Sequence, residues 1–210
     1  MTPLPECAGW FGKIPSLGDF VTGPLPPAFI ERWDAWLSGE LWEAQQTLGE
    51  SWAAAYRQAP IWCFFLGPGV IDARSWRGIL VSSFDRVGRE FPLTIAFGSA
   101  AQGESMRGPT WWTGLVAIGR RAVAVDGSVE LLRETLAEFI RAQDHFAPGT
   151  EVAEVVVPVA GSSRWWPARG EGGGAPVPTV TTGLPRGESF RALVGRPSPS
   201  APDRPPAHAA

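Results

Sequence analysis

Apolar residues recur at helical spacing in the first quarter of the chain, and this spacing predicts two helices. Apolar side chains three and four positions apart over residues 29–41 predict an amphipathic helix, with Glu31 and Glu40 on its polar face. Pro26 and Pro27 suit its first turn, and Gly49 interrupts the pattern. Ser51 is expected to cap a second short helix.

The middle of the chain changes to short apolar runs that predict strands. We expect strands at residues 9–14, 61–66, 78–83 and 91–98. Asp72 is expected to cap a single helical turn before the third of these. The connection 84–90 is short and charged, which predicts an antiparallel hairpin with the charged segment at its tip.

Helical spacing returns after residue 108 and is followed by a last group of strands. Residues 109–123 predict a third helix, and Ser128 is expected to cap a fourth. A further strand is predicted at 151–159, and a hairpin joins Trp165 and Trp166 to residues 176–182 around the glycine-rich segment 170–174.

The order of these elements predicts an α+β fold in a single domain. The strands form one cluster with helices before and after it, which favours an antiparallel or mixed central β-sheet with helices packed on it. We expect this domain to span residues 9–195. Residues 1–8 are interpreted as a loose lead-in, and the Pro-, Ser- and Ala-rich residues 196–210 as a disordered tail.

Composition narrows the class of protein. The chain has 210 residues, 44% of them hydrophobic, which suits one globular domain. No apolar run is long enough to span a bilayer, and the first residues lack the features of a signal peptide. A net charge of −3 argues against nucleic acid as a partner. We therefore expect a cytoplasmic protein without direct membrane insertion.

Two residue types refine this picture. The chain has 11 Trp and one Tyr. Most of the tryptophans are expected to form a core of large side chains, with a minority exposed at a partner interface. Of the two cysteines, Cys63 lies in an apolar run and is expected to be a free structural thiol, and Cys7 is expected near a disordered end.

The residue types that catalysis requires do not occur in matched sets. The two histidines are His145, at the end of a predicted helix, and His208 in the tail. Ser82 or Ser83 with Asp85 and His145 could supply a triad nominally, but no nucleophile-elbow motif occurs. The phosphate-binding loop motif is absent, and Lys13 is the only lysine. We expect neither catalysis nor a metal or cofactor site.

Two charged turns, at residues 15–20 and 84–92, remain as the candidate site. Arginine presents a rigid set of donors suited to carboxylate or phosphate. In a structural interpretation, Asp19 pairs with Arg86 or Arg89 and pins the two turns together. In a functional interpretation the turns form a recognition surface, and the two interpretations are compatible. The candidate residues are Gly18, Asp19, Phe20, Asp85, Arg86, Gly88 and Arg89.

The same turns carry a resemblance to a known family. Residues 9–20, Gly-Trp-Phe-Gly-Lys-Ile-Pro-Ser-Leu-Gly-Asp-Phe, resemble the opening motif of the TagF family, which is associated with type VI secretion. Further elements agree in order: residues 33–37, 60–62, 67–70, 76–80, 85–94, 165–166, 183–185 and Phe190. The resemblance covers roughly residues 9–194.

The resemblance implies a function that the residues alone do not. TagF-like proteins are cytoplasmic, post-translational repressors of type VI secretion, thought to act through a forkhead-associated scaffold protein and the membrane-bound secretion complex. Their fold is a layered sheet with flanking helices. Some relatives are fused to a protein phosphatase domain, which this chain is not expected to include.

Two hypotheses of different classes follow. In the first, the chain is a non-catalytic regulator that binds the scaffold and hinders assembly of the secretion system. In the second, it is an anion- or nucleotide-binding domain, or a degenerate enzyme, that uses Arg86 and Arg89. Stabilisation by added nucleotide or phosphate distinguishes the second from the first.

Overall fold

The computed structural model describes residues 7–99, 108–144, 159–168 and 177–194. Within these ranges there are seven strands, five α-helices and one 3-10 turn at Gly49–Ser51. The strands are β1 (Cys7–Gly12), β2 (Val21–Thr22), β3 (Trp62–Leu66), β4 (Ser75–Val81), β5 (Leu93–Ser99), β6 (Ser162–Pro167) and β7 (Thr179–Thr182). The helices are α1 (Pro27–Leu48), α2 (Trp52–Gln58), α3 (Pro109–Ala122), α4 (Val129–Asp144) and α5 (Glu188–Val194).

All seven strands form one sheet in the order β2-β1-β5-β4-β3-β6-β7. Every neighbouring pair is antiparallel. The fold is therefore α+β with an antiparallel central sheet, as the element order predicts. The predicted hairpins are confirmed in β4–β5 and β6–β7.

Helices cover both faces of the sheet, and the strands alternate between two cores. Ile79 packs into one core and its neighbour Leu80 into the other, because successive side chains of a strand point to opposite faces. Residues of α1, α2 and α5 line the first core, and residues of α3 and α4 line the second. Strands buried on both sides explain why the central runs are almost continuously apolar.

The helices begin and end largely where the sequence predicts. Proline stands at the start of α1, Gly49 follows its end with a φ of 50°, and the Ser128 hydroxyl caps α4 by accepting from the Leu131 N–H at 3.1 Å. Two predictions at this level are wrong. Ser51 makes no capping hydrogen bond, because a 3-10 turn already continues the chain helically into α2. Glu40 is buried rather than exposed, since its carboxylate accepts from the Gly187 N–H at 2.7 Å.

Strand boundaries differ by a few residues. β1 begins at Cys7, two residues before the predicted start, so Cys7 lies in the sheet. β4 begins at Ser75 because the predicted helical turn does not form; the Asp72 carboxylate instead accepts from the Arg74 N–H and from Trp76 Nε1. The predicted strand 151–159 falls almost wholly outside the described residues, as do the segment 170–174, the lead-in before Cys7 and the tail.

The tryptophans supply much of the core, as expected. All 11 lie in the described ranges: nine are buried, Trp166 is half-buried, and only Trp42 is exposed, at 63%. Six buried indoles donate to an acceptor, as where Trp33 Nε1 donates to Thr94 Oγ1 at 2.7 Å. Cys63 is buried as predicted, and burial raises the pKa of its thiol to about 12.

Across the described ranges, no helix combines the length and the apolar character needed to cross a membrane.

Candidate functional site

Sheet topology brings the two charged turns together. Because β1 is antiparallel to β5, the segment that leaves β1 lies beside the segment that enters β5. The contact is close at Gly12, whose φ is 141° and where a Cβ would lie 2.1 Å from the Pro92 carbonyl oxygen. Further out, the Arg86 N–H donates to the Leu17 carbonyl at 2.8 Å. The pairing of two sheet neighbours thus makes one surface from two turns whose nearest residues, Phe20 and Phe84, are 64 positions apart in the sequence.

Asp85 organises the junction between the turns. Its side chain is fully buried and accepts four hydrogen bonds. Oδ1 accepts from the N–H groups of Val87 at 3.1 Å and Arg89 at 2.9 Å. Oδ2 accepts from Lys13 Nζ at 2.9 Å and Arg89 Nε at 2.6 Å. These contacts satisfy a buried carboxylate that would otherwise be costly to bury.

The same contacts fix the ionisation of Asp85. Burial by itself would raise the pKa of the carboxyl group, but hydrogen bonds from Lys13 and Arg89, together with the charge of Lys13, outweigh it. The pKa of Asp85 is consequently held well below its usual range. The group is an ionised structural anchor between the turns.

The β4–β5 turn is a three-residue hairpin loop of Arg86, Val87 and Gly88. The Gly88 N–H donates to the Asp85 carbonyl at 2.8 Å, and the Asp85 N–H donates to the Arg89 carbonyl at 3.0 Å. Gly88 has a φ of 84°, a left-handed conformation that closes such a loop and that other residues adopt only with strain. The loop therefore has a defined shape.

Lys13 is a central residue of the junction that the two predicted turns do not include. It is buried, lies between the turns, and places Nζ both on Asp85 and 5.0 Å from the centre of the Phe20 ring. Its backbone carbonyl accepts from the Ser83 hydroxyl at 2.7 Å. The signal was present, since Lys13 is the only lysine of the chain and follows a glycine in a conspicuous motif.

The predicted pairing of Asp19 with an arginine is wrong. Asp19 is exposed, and its carboxylate accepts from the following N–H, that of Phe20, at 2.8 Å. Among the described residues it forms no ion pair with Arg86 or Arg89. Asp85 takes the arginine instead, because it is the carboxylate enclosed by the junction.

The two arginines have different environments. Arg89 is committed to the junction through Asp85 and through a hydrogen bond from Nη2 to the Gly18 carbonyl at 2.7 Å. Arg86 lies beside Gly18, where a Cβ would be 3.7 Å from Nη2. In the part of the chain that the structure describes, the guanidinium of Arg86 has no hydrogen-bond or ion-pair partner. Arg86 is thus the cation of the pair whose charge is not already shared with a carboxylate.

Exposed apolar side chains lie on the same two turns as this cation. Leu17, Phe20, Phe84 and Val87 are 43%, 42%, 42% and 69% exposed. Phe20 is held from below, since its ring stacks on Phe11 at 5.5 Å and meets Phe91 edge-on at 4.8 Å. We call Leu17, Phe20, Phe84, Arg86 and Val87 the two-turn surface. Apolar groups around a free arginine are typical of protein–protein contacts.

The nominal catalytic residues have other uses. The Ser83 hydroxyl donates to the Lys13 carbonyl, and the Asp85 carboxylate accepts from Lys13 and Arg89. These two side chains therefore do not bond to each other. His145 falls outside the described residues. Within the described ranges no three His, Cys, Asp or Glu side chains converge in a way that could hold a metal ion.

The chain is similar to a known protein family and to a solved structure. Residues 9–139, which include both turns, match the family described as "TagF N-terminal domain, Type VI secretion system-associated". The fold is similar to the crystal structure of PA0076 from Pseudomonas aeruginosa PAO1, with a TM-score of 0.73 and 28% sequence identity, over 95% of this chain and 100% of that one. None of the curated proteins matches the chain.

Proposed function

Because the chain belongs to the TagF family of type VI secretion system-associated proteins, we propose that it is a cytoplasmic, non-catalytic repressor of type VI secretion. It binds a forkhead-associated scaffold protein through the two-turn surface and so hinders assembly of the secretion system. The membrane complex of that system is the second partner that the family resemblance implies.

The two-turn surface is the observation that supports a binding function. Its base is rigid, since Lys13, Asp85 and Arg89 form a buried ionic junction and Gly88 fixes the loop. Its outer side presents the unpaired guanidinium of Arg86 among exposed apolar groups such as Val87. Preorganised, partly apolar surfaces bind proteins efficiently, because little conformational freedom is lost on association.

The free guanidinium of Arg86 also suits a small anion, which keeps the alternative of an anion- or nucleotide-binding domain. That alternative depends on the charge of two arginines, however, and Arg89 already shares its charge with Asp85. A single exposed arginine gives an isolated anion little affinity in water. Protein binding therefore fits the surface better, because a protein partner would contact the exposed apolar side chains as well as Arg86.

A pull-down with the forkhead-associated scaffold tests the proposal. We expect Arg86→Ala and Val87→Asp each to reduce capture strongly at an unchanged melting temperature, because both side chains are exposed and neither supports the fold. The matched control is Arg133→Ala, an exposed arginine of α4 on the opposite face of the sheet, which should leave capture unchanged.

Two outcomes would oppose the proposal. Failure of the wild-type protein to capture the scaffold would remove the scaffold-binding function. A rise of several degrees in melting temperature with nucleotide or phosphate, lost in Arg86→Ala, would favour the anion-binding alternative.

A further inference from the structure

A groove runs beside the two-turn surface, between α1 and the β4–β5 turn. It has a volume of about 440 Å³ and opens to solvent. Helix α1 forms one wall, and the turn residues from Gly88 to Phe91 form the other. The side chains that matter here are Leu41, Trp42, Gln45, Trp52, Arg89 and Phe91.

The wall formed by α1 carries an unusual apolar group. Trp42 is 63% exposed, whereas the other ten tryptophans of the chain are buried or half-buried. The neighbouring Leu41 and Phe91 are buried and supply an apolar floor. An indole held at the edge of an apolar groove is the type of residue that contributes most to binding when a partner covers it.

The charged groups at the turn wall of the groove leave one positive charge, because Lys13 and Arg89 share the single negative charge of Asp85 and Arg57 lies beside Glu90. Among the described residues that line it, Glu90 is the only acid, and both of its oxygens are engaged. Oε2 accepts from Trp52 Nε1 at 2.5 Å, and Oε1 lies 3.6 Å from Arg57 Nε. Arg89 uses Nε and one N–H of Nη2 for Asp85 and Gly18, and its side chain is 64% exposed. A guanidinium has five N–H groups, so others of Arg89 remain for a ligand.

From this geometry we propose that the groove binds an acidic segment of the scaffold partner. An apolar side chain of that segment packs on Trp42, and a carboxylate beside it accepts hydrogen bonds from Arg89. Charge complementarity selects this occupant, since a basic or neutral segment would leave the positive wall without a counter-charge. The inference rests on the proposed scaffold-binding function and extends its contact surface from the turns onto α1.

Substitutions on α1 test the groove without disturbing the junction. We expect Trp42→Ala to weaken binding of the scaffold about tenfold or more, with little change in melting temperature, because the indole is mostly exposed. Trp42→Phe should retain part of the affinity. The dissociation constant is measured by titration calorimetry with the purified scaffold.

Opposite charges at Gln45 test the sign of the partner. Gln45→Glu should weaken binding and Gln45→Arg should strengthen it, each about two- to fivefold, and added salt should reduce the difference. Gln46 is the matched control: it is exposed on the same helix and does not line the groove, so Gln46→Glu and Gln46→Arg should have much smaller effects.

The results separate the groove from the function on which it rests. If the wild-type protein binds the scaffold but the Trp42 and Gln45 variants bind equally well, the groove proposal is wrong and the scaffold proposal stands. Equal responses to Gln45→Glu and Gln45→Arg would refute an acidic occupant. Competition by inorganic phosphate at millimolar concentration would indicate a small-anion site and would also overturn the proposal.

Discussion

At the scale of single residues, one carboxylate decides the shape of the candidate site. Asp85 and Asp19 look equivalent in the sequence, since each lies in a charged turn. In the structure Asp85 is fully buried with four donors, and Asp19 is exposed. Asp85 pairs with an arginine because it is buried between the two turns, and the pairing of β1 with β5 brings these turns together.

Replacement of Asp85 by Asn should lower the melting temperature by several degrees. The amide has one acceptor oxygen and an NH2 group, so it cannot serve Lys13, Arg89 and the two backbone donors together. Asp19→Asn is the control and should change the melting temperature little, because its one hydrogen bond is exposed. The comparison is made by thermal unfolding at neutral pH.

The stability difference between wild type and Asp85→Asn should depend on pH in one direction. The pKa of Asp85 is lower in the folded protein than in the unfolded chain, where it is about 4. Its ionised form therefore stabilises the fold fully above about pH 5, and this stabilisation is lost as the pH falls below about 4. A difference that stayed constant down to pH 3 would show that Asp85 acts through shape and not through charge.

The conformation of Gly88 gives a second prediction for a single residue. Gly88→Ala should cost about 1–2 kcal/mol of unfolding free energy, because its φ of 84° strains any residue with a Cβ. No atom lies within 4 Å of the added Cβ, so the cost measures backbone strain alone. Gly18→Ala is the matched control, since the added Cβ would meet Arg86 at an ordinary 3.7 Å. Denaturation in urea measures both, and equal costs would argue against the turn geometry.

At the scale of elements, the sequence predicts what depends on local pattern. Proline at the start of α1, Gly49 at its end and Ser128 before α4 are local signals, and each is confirmed. The burial of Glu40 could not be predicted, because its partners Arg186 and Gly187 lie nearly 150 residues away. The short helix α5 was not predicted for a similar reason. Phe190 and Leu193 pack into a core that elements distant in the sequence form, so the local pattern alone does not indicate a helix.

Helix α2 shows how a short element depends on such distant contacts. It has seven residues, too few to be stable alone. Tyr56 attaches it to the segment after β4, because its hydroxyl donates to the Ser83 carbonyl at 2.9 Å and accepts from the Ser83 N–H at 3.1 Å. Ser83 in turn donates to Lys13, so α2 supports the junction from behind.

Removal of the Tyr56 hydroxyl should therefore loosen α2 and the turns together. We expect Tyr56→Phe to lower the free energy of unfolding by about 1–3 kcal/mol, since the buried N–H of Ser83 loses its partner and the Ser83 carbonyl keeps only the Phe91 N–H. Amide exchange should rise in α2 and around Asp85. Ser38→Ala removes an exposed hydroxyl that bonds Asp34 at 3.3 Å and is expected to have little effect. Faster exchange confined to α2 would contradict the coupling.

At the scale of the whole molecule, two cores share the strands of one sheet. The fold class follows from the sequence, because continuous apolar runs flanked by helical patterns imply a covered sheet. The strand order does not follow from it, since nothing local specifies that β1 pairs with β5 rather than with β3. The position of the candidate site depends on that one pairing, so its turns could be named but their contacts could not.

Shared strands should make the two cores unfold as one unit. Leu37→Ala in the core beside α1 and Leu115→Ala in the core beside α3 remove side chains that are both fully buried. Each should cost about 2–5 kcal/mol, and each should shift one transition that tryptophan fluorescence and far-ultraviolet circular dichroism report identically. Two separate transitions in either variant would show that the faces unfold independently.

The exposure of Trp42 allows its intrinsic fluorescence to report on the groove. A collisional quencher such as acrylamide should reach one strongly accessible indole in the native state, while the ten shielded indoles emit with little quenching. Loss of that accessible fraction when the scaffold is added would locate the partner on α1 without any attached dye. The same signal in Trp42→Phe gives the background, so occupancy of the groove can be followed in real time on the unmodified chain.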